Sequence, residues 1–173
     1  GDKPVVSIAA TDDNAVEGTS NGTVSFTVSQ TNESTVDTTV HVNVAADTVA
    51  KAGDISEITY TNALGTVVTL TTKSEIENFF KNGVDVKIEA GSTSAPAITF
   101  TAKDDSIYEQ SEGLSVTIAS ATNATVTTVA ADKTATATVY DEDSTNPDSP
   151  LTTGDHQGDK PVVSIAATDD NAV

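Results

Sequence analysis

Apolar residues recur at every second position in six separate runs, and this pattern restricts the possible folds more than any other feature of the chain. Val6, Ile8 and Ala10 form the first run, Val24, Phe26 and Val28 the second, and Val40, Val42 and Val44 the third. Ile98, Phe100 and Ala102 follow, then Leu114, Val116 and Ile118, then Ala135, Ala137 and Val139. Successive side chains on a strand point to opposite faces, so a period of two buries one face and wets the other. Threonine, valine, alanine and serine dominate between these positions, and β-branched residues favour strands over helices. His41 alternates with Val40 and Val42, so it faces away from the core as an exposed sheet residue rather than a ligand.

The stretch 55–90 is less regular. EITYTNALGTVVTLTT predicts a hairpin turning over residues 62–65, with Ile58 and Tyr60 before it and Val68 and Leu70 after. KSEIENFFKNG predicts a short helix, in which Ser74 and Glu77 have capping-box spacing and Gly83 marks the end. Ile76, Phe79 and Phe80 give it an apolar face for packing onto the sheets. VDVKIEA adds a short strand. Together these elements predict an all-β chain, an antiparallel β-sandwich with an elaborated middle.

The first sixteen residues, GDKPVVSIAATDDNAV, recur unchanged at 158–173, so the chain is one repeat of 157 residues followed by the start of the next. This divides it into a sandwich repeat over 1–143, an interdomain linker over 144–157, and a first strand of the following repeat over 158–173. Pro147 and Pro150 are expected to make the linker semi-rigid, and His156 reads as a solvated linker residue, with an interdomain ligand as the alternative. The last segment has no partner sheet of its own and is expected to fray unless it docks on a neighbouring molecule. The natural partners are neighbouring identical repeats of the same chain, and an isolated repeat is expected to be monomeric.

Twenty-six acidic residues face eight basic ones, all lysine, for a formal net charge of −18. Nucleic acid and anionic lipid both require a basic footprint, so neither is an expected partner. The absence of cysteine excludes disulfides and thiolate metal sites. No apolar run is long enough to span a membrane, so direct membrane insertion is not expected; an export signal is expected to be trimmed or to lie elsewhere in a longer chain.

In an antiparallel sandwich every second connection lies at the same pole. If the elaborated middle keeps that parity, four acidic groups converge there. They are Asp12, Asp13 and Glu17; Asp47 and Asp54; the stretch KDDSIYEQSEG with Asp104, Asp105, Glu109 and Glu112; and Asp141, Glu142 and Asp143. Calcium takes six to eight oxygen ligands from flexible loops, whereas zinc and copper select sulfur and imidazole. Clustered carboxylates therefore suit Ca2+, with magnesium the weaker candidate because it usually keeps several waters. No EF-hand loop is present.

Catalysis is not expected. A carboxylate pair can hydrolyse glycosides, but the three tyrosines and four phenylalanines are scattered along the chain and suggest no aromatic cleft. Neither histidine stands in a triad context, and G-x-S-x-G, phosphate-binding glycine loops and H-E-x-x-H are missing.

The segments VSIAATDDNAVEGTSNGTVSFTVS, KDDSIYEQSEGLSVTIASATNA and TATATVYDED, in this order over residues 5–143, resemble the Calx-β family. They resemble in particular the tandem Calx-β-like extender repeats of large bacterial RTX adhesins. The resemblance implies an immunoglobulin-like sandwich of about seven main strands that binds calcium at one pole. By position it implies as ligands Glu17, Asp54, Asp104, Asp105, the backbone carbonyl of Ile107, Glu109, Glu112, Asp141 and Asp143, with Asp12 and Asp13 either joining them or serving the junction instead. The chain departs from the family in a longer segment between Asp54 and Asp104. The implied role is a calcium-stabilised spacer that rigidifies an extracellular stalk on the bacterial surface; the alternative is a module that itself binds a glycan or protein.

Overall fold

A computed structural model describes residues 2–141 and 161–169. The linker assigned to 144–157, with Pro147, Pro150 and His156, lies outside these residues, as do Glu142 and Asp143. The strands are β1 (Val5–Asp12), β2 (Asn14–Val16), β3 (Thr23–Gln30), β4 (Thr38–Val44), β5 (Ile55–Thr61), β6 (Val67–Leu70), β7 (Val84–Ile88), β8 (Ile98–Ala102), β9 (Glu112–Thr122), β10 (Thr125–Val126) and β11 (Thr134–Tyr140). Two helices, α1 (Lys73–Asn82) and α2 (Ala130–Lys133), and a 3-10 turn at Ala52–Asp54 complete the described elements.

The strands form two sheets, ordered β10-β1-β3-β8-β5-β6 and β2-β11-β9-β4-β7. The run β1-β3-β8-β5 is the A-B-E-D order of an immunoglobulin sandwich, and β11-β9-β4 is its G-F-C order. The fold is therefore an all-β, immunoglobulin-like sandwich, and each of the six alternating runs is a strand. The inserted middle lies on its edges. β5 and β6 form the expected hairpin, with Ile58 opposite Leu70, and β7 extends the second sheet beside β4.

The first strand is split, which the sequence did not suggest. β1 pairs antiparallel with β3 in one sheet, the register shifts between Ala10 and Asp12, and β2 pairs parallel with β11 in the other. Ala15 and Val16 are consecutive and both buried, which a single strand exposed on one face cannot achieve. Strands β2 and β10, at three and two residues, are too short to show a period.

Inward side chains of the two sheets make one core. Val6, Ile8, Val24, Phe26, Val28, Ile58, Ile98 and Phe100 meet Val40, Val42, Leu114, Val116, Ile118, Ala137 and Val139, all nearly inaccessible. Burying each of the larger side chains contributes roughly 1.5–3 kcal/mol. The four phenylalanines are not scattered once the chain folds. Phe100 receives Phe26 at 5.7 Å, Phe79 at 5.5 Å and Phe80 at 6.4 Å between ring centres, each edge to face. Phe79 and Phe80 thus seat α1 on the sandwich, as its apolar face predicts.

The helix begins two residues earlier than the Ser74–Glu77 spacing suggests. Thr72 Oγ1 accepts from the Glu75 N–H at 3.3 Å, and Glu75 Oε2 accepts from the Thr72 N–H at 3.0 Å. TKSE carries the same capping pattern as SEIE, and the earlier start satisfies the reciprocal bonds. Gly83 does end the helix, its N–H donating to the Phe79 carbonyl at 2.8 Å. At φ 67° and ψ −168°, it lies where glycine is almost the sole occupant. A Cβ there would also approach the Val42 carbonyl oxygen to 2.1 Å.

His41 is more tied down than an exposed sheet residue need be. Its Nδ1 lies 2.7 Å from Asp85 Oδ1, and its Nε2 lies 3.0 Å from the Asn82 carbonyl oxygen, fastening β4 to β7 and to the end of α1. Residues 161–169 form no strand, and Val162, Val163 and Ile165 are 94%, 94% and 98% exposed. Among the described residues no helix is long and apolar enough to cross a membrane.

Gly83→Ala is expected to destabilise the domain by at least about 1–3 kcal/mol from backbone strain alone. Urea unfolding should show a lower midpoint with an unchanged slope. An unchanged midpoint would refute the close approach of β4 to this turn.

Candidate metal centre

Strand registers bring the acidic connections to one pole. Tyr140 pairs with Val16, Ile55 with Ala102, and Val139 with Glu112. The loops after β2, β4, β8 and β11 therefore open on the same side. The chain enters at the other pole, where Val6 pairs with Gln30 and Val5 with Thr125.

Asp54, Glu109 and Glu112 form the tightest group, each offering a carboxylate oxygen within 4.8 Å of the others, all half-buried. Three elements place them. The 3-10 turn presents Asp54, held because its side chain accepts from the Lys51 N–H and its carbonyl accepts from the Lys103 N–H at 2.9 Å. The β8–β9 loop carries Glu109, and the first residue of β9 is Glu112. Asp141, only 3% exposed, supports this loop from behind: its Oδ2 accepts from the Glu109 N–H at 3.1 Å. Its Oδ1 is buried without a hydrogen-bond partner in the described structure. Buried carboxylate oxygens normally have a donor or a cation.

The other candidates lie on loops of the same pole. Asp105 accepts from the Ile107 N–H at 2.9 Å and pairs with Lys103 Nζ at 3.2 Å. Ile107 is thereby fixed in the loop, its side chain 60% exposed. Glu17, 4% exposed, is anchored through its N–H to the Tyr140 carbonyl at 3.0 Å. Asp104 sits against the next residue, Gly18, where a Cβ would come within 2.8 Å of Asp104 Oδ1. Gly18, with φ +63°, lets the Glu17 turn and the Asp104 loop touch. Asp143 lies outside the described residues.

Asp12, Asp13 and Asp47 do not join the central group of three. Asp12 pairs with Ser25 across the bulge, while the Asp13 carboxylate accepts from the Asn14 side-chain amide and the Asp13 carbonyl accepts from the Thr138 N–H. Asp47 is exposed in the turn closed by the Thr48–Ala45 bond. Sequence reasoning missed Lys51 as a counter-charge to Glu112, and Gly18 as the contact point. The glycine directly after Glu17 was the available signal.

The crowding perturbs protonation. Burial, the Asp54 charge, a hydrogen bond with Asp54 and the Glu109 charge push Glu112 from 4.5 up to about 7, against a small opposing effect of Lys51. Glu109 is raised by burial and by the charges of Asp54, Asp105 and Asp141. Asp105 is lowered, chiefly by the Ile107 N–H and then by Lys103. Such a site holds excess negative charge that a proton neutralises in part. A divalent cation would neutralise it more fully.

No protein-family model matches the chain, and no curated protein does. Among solved structures the chain is similar to CBD12 from CALX1.2, at 13% identity over 78% of this chain and 44% of that one, with a TM-score of 0.49. It is also similar to the apo-form Calx CBD1 domain, at 12% identity over 82% and 99%, TM-score 0.45. A third likeness is to a two-domain protein of unknown function from Bacteroides fragilis NCTC 9343, at 9% identity over 81% and 46%, TM-score 0.46. The chain spans less than half the length of the CBD12 structure it matches. These are low-identity likenesses of sandwich shape, and the fold assignment stands on the strand order.

Unfolded Glu112 loses its proton near its ordinary 4.5, whereas the folded residue keeps it to about 7. The folded state then binds more protons in this window, so this residue's contribution to stability falls as pH rises from about 4.5 to 7 and levels off above. Urea unfolding in chelator should show that Glu112→Gln removes this component. The stability gain of the variant over wild type should grow across that window; a pH-independent difference would show that Glu112 ionises normally.

Proposed function

We propose that the chain is a calcium-stabilised, non-catalytic spacer repeat of a secreted bacterial surface adhesin, one of a series that stiffens a stalk. The observation that carries the calcium reading is the convergence of Asp54, Glu109 and Glu112 within 4.8 Å. All their donors are oxygen, as a hard cation requires, and the number of carboxylates gathered from several loops suits Ca2+ over Mg2+, which usually keeps several waters. Asp141 and Asp105 lie beside this group, and Glu17 and Asp104 on the neighbouring loops would complete the cage.

The spacer reading is supported by the identical sixteen-residue segment and by opposite poles of entry and exit. A domain entered at one end and left at the other adds its length to an array. The cation pole is the exit pole, so each bound ion would sit where one repeat hands over to the next and limit the angle between them. The partners are then neighbouring repeats of the same chain, outside the cell.

Calcium binding only to the folded state stabilises it by about 2.7 kcal/mol at a free concentration a hundredfold above Kd. Calorimetric titration of the chain should show saturable calcium binding, and calcium should raise Tm relative to chelator. Asp54→Asn and Glu109→Gln should each weaken both effects. Solution scattering of a two-repeat chain should become more extended with calcium. Identical heats, melting curves and scattering with calcium and with chelator would overturn the reading, and a glycan array that bound the domain would favour a ligand-binding module instead.

A further inference from the structure

The sequence holds two copies of one strand-forming segment, and the described residues form one groove that fits it. Residues 1–16 supply β1 and β2, and residues 158–173 have the identical sequence. Val6 and Ile8 are 0% and 3% exposed in the first copy, whereas their equivalents Val163 and Ile165 are 94% and 98% exposed. Isolated exposed apolar residues are ordinary, but an exposed alternating run that is buried elsewhere in the same molecule has a known fitting site.

We propose that the groove occupied by β1 and β2 can take residues 158–173 in place of residues 1–16 of the same chain. Every side-chain contact made by one copy can be made by the other, so the exchange is neutral in packing and in strand hydrogen bonds. The groove is also peripheral. β2 is the edge of its sheet, and β1 is separated from the edge of the other only by the two residues of β10. The first segment can leave without opening the interior pairs β3-β8 or β9-β4.

The tether is long enough. Val162, the equivalent of Val5, follows Asp141 by 21 residues, which reach at most about 70 Å when extended. β1 itself runs about 27 Å from pole to pole. Two terms keep the first copy in place in the native chain. It is continuous with Glu17, whose N–H bonds Tyr140, and the second copy would have to close a loop to return to the entry pole. The exchanged form is therefore the minor one until the first copy is disabled.

In consecutive repeats this gives each groove two identical claimants, its own first strand and the one after the linker. The inference rests on the duplicated segment and the strand topology and is independent of calcium binding. Ile8→Asp in the full chain puts a charge into the core position of the first copy, Ile165→Asp does so in the second, and the double variant disables both. Ile165→Asp should melt like wild type. Ile8→Asp should remain folded and monomeric, with amide-exchange protection lost at 5–12 and gained at 162–169, while the double variant should lose cooperative unfolding. Three results would overturn the exchange. They are Ile8→Asp being as damaged as the double variant, Ile8→Asp keeping its protection at 5–12, and Ile8→Asp folding only as a dimer with the strand supplied by a second chain.

Discussion

Like charges forced together at one end of a sandwich govern the properties of this domain. Two ionised carboxylates within 4.8 Å of each other repel by at least about 3 kcal/mol at an effective dielectric near 20. Three such groups, backed by a buried Asp141, make the pole the least self-sufficient part of the structure. The core beneath it is the opposite, a dry interdigitated layer anchored by Phe100. The rigid sheets set the positions of the strand ends. The strand ends in turn hold the acidic loops close enough to repel.

That arrangement explains why the loops are built as they are. Asp54, Asp105 and Asp141 each accept from a backbone N–H of the same pole, so each carboxylate is oriented as well as charged. Fixed orientation limits how far the loops can relax by turning side chains outward. What relieves the repulsion is then a proton, which the raised pKa of Glu112 favours, or a cation.

The strands were legible because alternation survives in any strand long enough to show it. The acidic pole was legible through parity, since the hairpin and α1–β7 insertion bring the chain back in phase. Other features depended on tertiary contacts. A split between β1 and β2 leaves no period in three residues, and Ala15–Val16 reads locally as noise. Thr72–Glu75 and Ser74–Glu77 are equivalent patterns, and only the seating of Phe79 on Phe100 selects between them. Among the carboxylates, sequence spacing could not separate the Asp54–Glu109–Glu112 group from exposed Asp47. Charge marks the loop; the strand register decides which side chains face inward.

The parallel pairing of β2 with β11 has a mechanical consequence. The segment leading into β2 enters at one pole and β11 leaves at the other, so tension on the two chain ends pulls these strands in opposite directions along their length. The bonds linking them, from Asp13 with Thr138 to Glu17 with Tyr140, lie across that pull and are loaded together rather than one after another. A strand pair sheared in this way resists far more force than one peeled from its end. The short patch that looks like a mere strand crossover is thus the clasp through which a pulled domain would carry its load.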